Sequence, residues 1–213
     1  MNFFEIKHFF DNPKKIRDFA LNQMYQNYVW TKDSIWSGFR CPILDKQIKD
    51  EIHFKLEAAI NKKIIDISYC FHLNPAISMH GYPHTDSDNP NSFAGVIYLS
   101  EEYPKDIDCG TTLYENLPNN SHPSKYILDY IDKMGIVYDT TLSPNNKFKL
   151  QFSNECIRFK SNILKKIKTF DFEFNKLVCY PGTTLHSPDF YFGGYDKSEC
   201  RLTIAFHGKL DAI

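Results

Sequence analysis

Two different spacings of apolar residues divide the chain. Between residues 13 and 61 they recur at helical intervals. Asn12-Pro13 offers a capping side chain followed by proline at the first helical position, and Ile16, Phe19, Ala20 and Met24 follow as one face. A second helix is expected from about Asp45 to Asn61, with Ile48, Ile52, Leu56 and Ile60 four apart on one stripe. Phe3 to Phe10 reads as a short leading strand, and Ser37-Gly38-Phe39 as a turn.

From residue 64 the period becomes two. Strands are expected over Ile65–Leu73, Ala76–Tyr82, Phe93–Leu99, Thr111–Glu115, Lys176–Tyr180, Thr184–His186 and Arg201–His207. Residues 116–154 are polar and rich in turn signals, with a short helix expected over Lys125–Met134. Glu155–Lys168 reads as a basic amphipathic helix through Ile157, Phe159, Ile163, Leu164 and Ile167. Helices first and strands afterwards indicate an α+β domain, with helices packed outside a sheet or barrel.

Composition narrows the class. A chain of 213 residues fits one large domain, taken here as 1–213: a helical support region over 1–63, core strands over 64–115 and 171–210, and an insertion over 116–170. Aromatic residues are 15% of the chain, which favours sheet. A net charge of −1 gives no global field toward nucleic acid or an acidic membrane. No apolar run approaches a membrane span, and the N-terminus lacks the pattern of a secretory signal. The six cysteines form no C-x-x-C pair, so free thiols and a cytoplasmic location are expected.

The candidate chemistry lies in His84-Thr85-Asp86. Alternate residues on extended chain point to one side, so the imidazole and the carboxylate can reach one ion while Thr85 turns away. The best third ligand is His186, which follows the Pro181-Gly182 turn. Two histidines and one carboxylate with open positions form the facial triad of non-haem iron(II) oxygenases.

The flanking order carries a resemblance. After His84-Thr85-Asp86 come Val96-Ile97-Tyr98-Leu99-Ser100, Cys109-Gly110-Thr111-Thr112-Leu113-Tyr114, His186, and Arg201 at the head of an alternating strand. This arrangement resembles the prolyl-hydroxylase-like branch of the iron(II)/2-oxoglutarate dioxygenases. The resemblance implies a double-stranded β-helix (jelly roll) core with N-terminal helices outside and an insertion between core strands. It implies iron(II) on His84, Asp86 and His186, with 2-oxoglutarate and O2 as co-substrates. Arg201 and Tyr98 would hold the far carboxylate of 2-oxoglutarate, and the products would be succinate, CO2 and a hydroxylated substrate. Asp86 implies hydroxylation or a related oxidation, because related halogenases lack the carboxylate. The substrate, a peptide side chain or a small metabolite, is left open.

Two positions depart from the family pattern. Cys109 stands where a second glycine is usual, and the 15 residues from His186 to Arg201 exceed the usual interval. Lys197 is therefore an alternative carboxylate partner, and Lys209 a further one. His80 could line the pocket, His207 shares the parity of Arg201, and Tyr126, Tyr130, Tyr138, Phe190, Tyr191 and Phe192 could form a lid. Two other classes remain: a non-catalytic jelly-roll binding module, and a zinc hydrolase on the same ligands. The second lacks an H-E-x-x-H motif and has only Glu115 to nominate as a base.

Overall fold

A computed structural model describes residues 1–27, 38–76, 78, 81–117, 154, 156–194 and 196–212. The element order is β1 (Phe4–Ile6), α1 (Pro13–Leu21), β2 (Gln26–Asn27), β3 (Phe39–Pro42), α2 (Lys46–Ile60), β4 (Ile64–Asn74), β5 (Ser92–Tyr98), β6 (Thr111–Tyr114), β7 (Lys166–Phe170), β8 (Leu177–Pro181), β9 (Leu185–Pro188) and β10 (Arg201–Leu210). Among the described residues the strands form two antiparallel sheets. The larger runs β1-β8-β5-β10-β4-β3-β2 and the smaller β7-β6-β9.

Both helices begin where their caps dictate. The Asn12 side chain accepts from the Lys15 amide, and the Asp45 side chain accepts from the Ile48 amide. Helix α2 ends at Asn61, a residue in the left-handed conformation that asparagine tolerates. Helix α1 stops at Leu21, so Met24, expected on its apolar face, is 90% exposed.

The pleat of the larger sheet separates two environments. Tyr69, Phe71 and Leu73 of β4, Phe93 and Ile97 of β5, Leu177 and Cys179 of β8, and Leu202, Ile204 and Phe206 of β10 face one way. They pack with Ile16 and Ala20 of α1 and Ile48, Ile52 and Leu56 of α2. The intervening residues of β5 and β8, including Ala94, Tyr98, Val178 and Tyr180, join Leu113 and Phe170 of the smaller sheet in a second cluster. A cavity opens on that same side, and Arg201, Thr203, Ala205 and His207 of β10 line it. The alternation is the period-two signal of the sequence realised in three dimensions.

Three expectations require correction. Residues 156–162 are helical, but Lys166–Phe170, whose first part the apolar spacing assigns to that helix, is strand β7. It is the edge of the smaller sheet, where lysines are favoured because they discourage further pairing. Ile163 and Ile167, placed on the helical stripe, are 44% and 48% exposed. The described residues of 76–82 form no strand. Gly81 instead passes so close to Pro188 that an added Cβ would lie 2.2 Å from the proline ring. At the N-terminus the strand is only Phe4–Ile6. His8 then takes a left-handed conformation, and Phe9 and Phe10 turn into the core. The helix expected over 125–134, Tyr126, Tyr130, Tyr138 and His80 lie outside the described residues.

No helix among the described residues is long and apolar enough to cross a membrane. All six cysteines are free thiols.

Candidate metal centre

A two-way backbone bridge joins the short H-x-D segment to β9. The His84 amide donates to the His186 carbonyl and the His186 amide donates to the His84 carbonyl, each at 2.9 Å. Directly opposed residues of an antiparallel pair present their side chains on the same face. The two imidazole rings therefore stand 4.4 Å apart between centroids. Asp86 is held by its own backbone: its amide and that of Ser87 both donate to the Gly182 carbonyl, at 2.9 and 3.1 Å. Gly182 also lies close against Ser92, whose hydroxyl would be 2.4 Å from an added Cβ.

The ligand atoms converge. His84 Nε2 lies 3.7 Å from Asp86 Oδ1, and His186 Nε2 lies 3.4 Å from Asp86 Oδ2. One ligand atom from each of the three residues falls within 4.8 Å of the other two. The tautomers follow from the neighbours. His84 Nδ1 donates to the Tyr82 carbonyl and His186 Nδ1 to the Thr184 carbonyl, each at 3.0 Å. A carbonyl only accepts, so both Nδ1 atoms carry hydrogen and both Nε2 lone pairs face the carboxylate. Burial, and then the neighbouring His186, pulls the pKa of His84 down to about 4, so its imidazole is neutral at physiological pH. Two imidazoles with Nε2 turned inward and one carboxylate are the donor set of a divalent transition-metal site.

This cavity has a volume of about 360 Å³. Arg201 lies in its wall and is 3% exposed. Its Nε donates to the Cys109 carbonyl at 3.0 Å and its Nη2 to the Gly110 carbonyl at 3.2 Å, which fixes the plane of the guanidinium. Its Cζ is 5.7 Å from the ring centroids of Tyr98, Phe172 and Tyr191. The tight turn that supplies these carbonyls needs Gly110, where a Cβ would lie 1.8 Å from the Phe170 carbonyl oxygen. Tyr98 is fully buried, and its hydroxyl donates to Thr111 Oγ1 at 2.9 Å. Thr111 lines the cavity; Tyr98 stands behind it.

The remaining candidates separate clearly. Lys197 is on the outside, donating to the Gln23 carbonyl at 2.9 Å, and Lys209 lines a different, smaller depression. His207 lines the cavity, as its parity implied. Of the expected lid aromatics, Tyr191 lines the cavity, Phe192 is a core residue and Phe190 is 40% exposed. Glu115 pairs with Lys165 at 2.6 Å away from the cavity. Sequence reading does not single out three lining residues: Tyr180, whose ring is 4.5 Å from that of His186, and Arg40 and His72 on β3 and β4. Only strand register brings the last two to the site.

The fold is that of the prolyl-hydroxylase-like 2-oxoglutarate oxygenases, as the sequence resemblance implied. A prolyl-4-hydroxylase from Pseudomonas putida superposes with a TM-score of 0.55 at 10% identity, over 99% of this chain and 94% of that one. HygX from Streptomyces hygroscopicus, solved with nickel and 2-oxoglutarate bound, gives 0.59 at 11% identity, over 98% and 83%. A prolyl hydroxylase from Trichoplax adhaerens, solved with a hypoxia inducible factor peptide fragment, gives 0.55 at 13% identity, over 98% and 83%. No curated protein matches the chain. Residues 2–207 match DUF6445, a family of unknown function, and the chain belongs to that family.

Proposed function

We propose that this protein is a non-haem iron(II)- and 2-oxoglutarate-dependent oxygenase that hydroxylates its substrate and releases succinate and CO2. In this reading residues 1–213 form one oxygenase domain. Its strands make a double-stranded β-helix core over 64–115 and 171–210, supported by the helices of 1–63. His84, Asp86 and His186 hold the metal, and Arg201 holds the far carboxylate of 2-oxoglutarate. Iron(II) bound there would supply oxygen activation coupled to decarboxylation of 2-oxoglutarate.

The observation that carries the proposal is the convergence of two bare Nε2 atoms and one carboxylate, with both tautomers set by backbone carbonyls. Three protein ligands leave room for a chelating co-substrate and oxygen. The chain's own contribution is placement. The backbone bridge aligns the histidines, Gly182 holds Asp86, and Arg201 presents its remaining donors to the cavity from a fixed plane. A planar guanidinium that stays charged when buried suits a carboxylate. Tyr98 orients Thr111 beside it. Tyr180 and Tyr82 pack against the histidine rings.

A zinc hydrolase on the same ligands would need a separate general base. Among the described residues lining the cavity, Asp86 is the only carboxylate. A non-catalytic module would have no use for the aligned tautomers. Succinate formation with iron(II), 2-oxoglutarate and air tests the proposal. Activity is expected in the wild type and absent in His84→Ala and Asp86→Ala. Unchanged turnover in those variants would refute it.

A further inference from the structure

By its place in the sequence Tyr98 is the phenol expected on 2-oxoglutarate, but the fold turns it away. Its hydroxyl donates to Thr111 Oγ1 at 2.9 Å, and its ring lies 4.5 Å from that of Phe172, behind the cavity wall. A different phenol does reach the cavity. Tyr180 of β8 stands on the same face of the larger sheet as Tyr98, the face turned toward the smaller sheet. It pairs with Ala94 of β5, whose short side chain leaves the space above the sheet to the tyrosine ring. That ring is 4.5 Å from the ring of His186, and the residue is 2% exposed. Among the described residues the Tyr180 hydroxyl has no hydrogen-bond partner.

A phenol buried this far normally pairs its hydroxyl within the protein, and an unpaired one calls for an explanation. The hydroxyl of Tyr69 is unpaired and sealed in, whereas Tyr180 borders the cavity. Burial, and then the Asp86 carboxylate, raises the pKa of Tyr180 well above the usual phenol value, while the Arg201 guanidinium acts the other way. The hydroxyl is thus a donor within electrostatic reach of both Asp86 and Arg201. The other tyrosines of the wall are placed differently. Tyr82 packs on the ring of His84. Tyr191 lies beside Arg201 with its hydroxyl against Gly81, 2.9 Å from where a Cβ would stand. Resting on the oxygenase reading above, the ligand that reaches from the metal ligands to Arg201 is 2-oxoglutarate. We infer that Tyr180, in place of Tyr98, is the phenol that holds a carboxylate of 2-oxoglutarate. A hydroxyl on a carboxylate makes a short, charge-assisted hydrogen bond, and this one is free to form it without breaking a bond inside the protein.

Tyr180→Phe removes the hydroxyl and keeps the ring against His186. Full-length wild type, Tyr180→Phe and Tyr98→Phe are titrated with 2-oxoglutarate without oxygen at saturating iron(II), and the Kd is read from the metal-to-ligand charge-transfer band. Tyr180→Phe is expected to raise that Kd about tenfold or more, as for loss of a hydrogen bond to a charged group. Tyr98→Phe, which loses a neutral contact to Thr111, should change it by no more than about threefold. Iron(II) affinity in the absence of 2-oxoglutarate, measured by competition with a chromogenic chelator, should be the same in Tyr180→Phe as in wild type. The inference is overturned if Tyr180→Phe leaves the Kd for 2-oxoglutarate unchanged, or if Tyr98→Phe raises it as much. A matching loss of iron(II) affinity in Tyr180→Phe also overturns it, because the hydroxyl would then support the metal ligands. Wild-type protein that binds iron(II) and develops no band with 2-oxoglutarate would instead refute the oxygenase reading on which the inference rests.

Discussion

His84 and His186 exchange backbone hydrogen bonds at 2.9 Å in both directions, and this bridge sets their rings 4.4 Å apart. His186 is thus fixed to His84 through main chain, and this geometry should survive the loss of one imidazole. His186→Ala is expected to keep the fold while reducing turnover by more than the roughly 10–100-fold that follows loss of a group behind a ligand. Circular dichroism and succinate formation check the two halves of this statement.

Arg201 supports the turn below it, because two of its donors are bound to the Cys109 and Gly110 carbonyls, and in the proposed function it also holds 2-oxoglutarate. Arg201→Lys keeps a charge but loses the fork. Initial rates should show the KM for 2-oxoglutarate rising about tenfold or more, as expected for loss of a charged hydrogen bond. Arg201→Gln should also lower stability in urea, by about 1–3 kcal/mol for buried carbonyls left without a donor.

Gly110 admits no side chain, since a Cβ would lie 1.8 Å from a backbone oxygen of Phe170, immediately beside the pairing of Thr111 with that residue. Gly110→Ala must push β6 and β7 apart or move the turn that supports Arg201. A loss of about 3 kcal/mol or more in urea unfolding is expected. Full stability would contradict this packing.

Lys160 is 8% exposed and donates to Ser187 Oγ at 3.2 Å and to the Pro188 carbonyl at 3.1 Å, on the strand that carries His186. Burial lowers its pKa to about 8, below the 10.5 of a free side chain. Between those values the unfolded chain binds more protons than the folded one, so the lysine's contribution to stability rises with pH across that window. It is complete above the upper value and falls away as the pH drops toward the lower one. The unfolding free energy of wild type minus that of Lys160→Met should increase by up to about 3 kcal/mol from pH 8 to 10.5. A flat or falling difference would contradict the burial of this amine.

Where the physics is local, the sequence is readable. Asn12 and Asp45 cap the two helices because their side chains reach amides three residues on, and the alternation in β4, β5, β8 and β10 follows from one sheet with two unlike faces. His84, Asp86 and His186 are visible as a motif in order and do converge. The strand β7 is not readable, because Ile163, Leu164 and Ile167 fit a helical stripe as well as an edge strand. Tertiary pairing with Thr111–Tyr114 decides between the two. Nor is the row of Arg40 and His72 legible. It depends on the register of β3 against β4, which brings together residues 32 positions apart (72 − 40) without any motif. The carbonyls of Tyr82 and Thr184 that orient the imidazoles belong to the backbone, so residue identity does not signal them.

The convergence of His84, Asp86 and His186 on one ion is most directly tested by anaerobic titration of the protein with iron(II) in the presence of 2-oxoglutarate. A visible metal-to-ligand charge-transfer band saturating at one iron per chain, and absent from His84→Ala, is the expected result. Wild-type protein that binds iron(II) without developing the band, or a band that persists unchanged in His84→Ala, would contradict it.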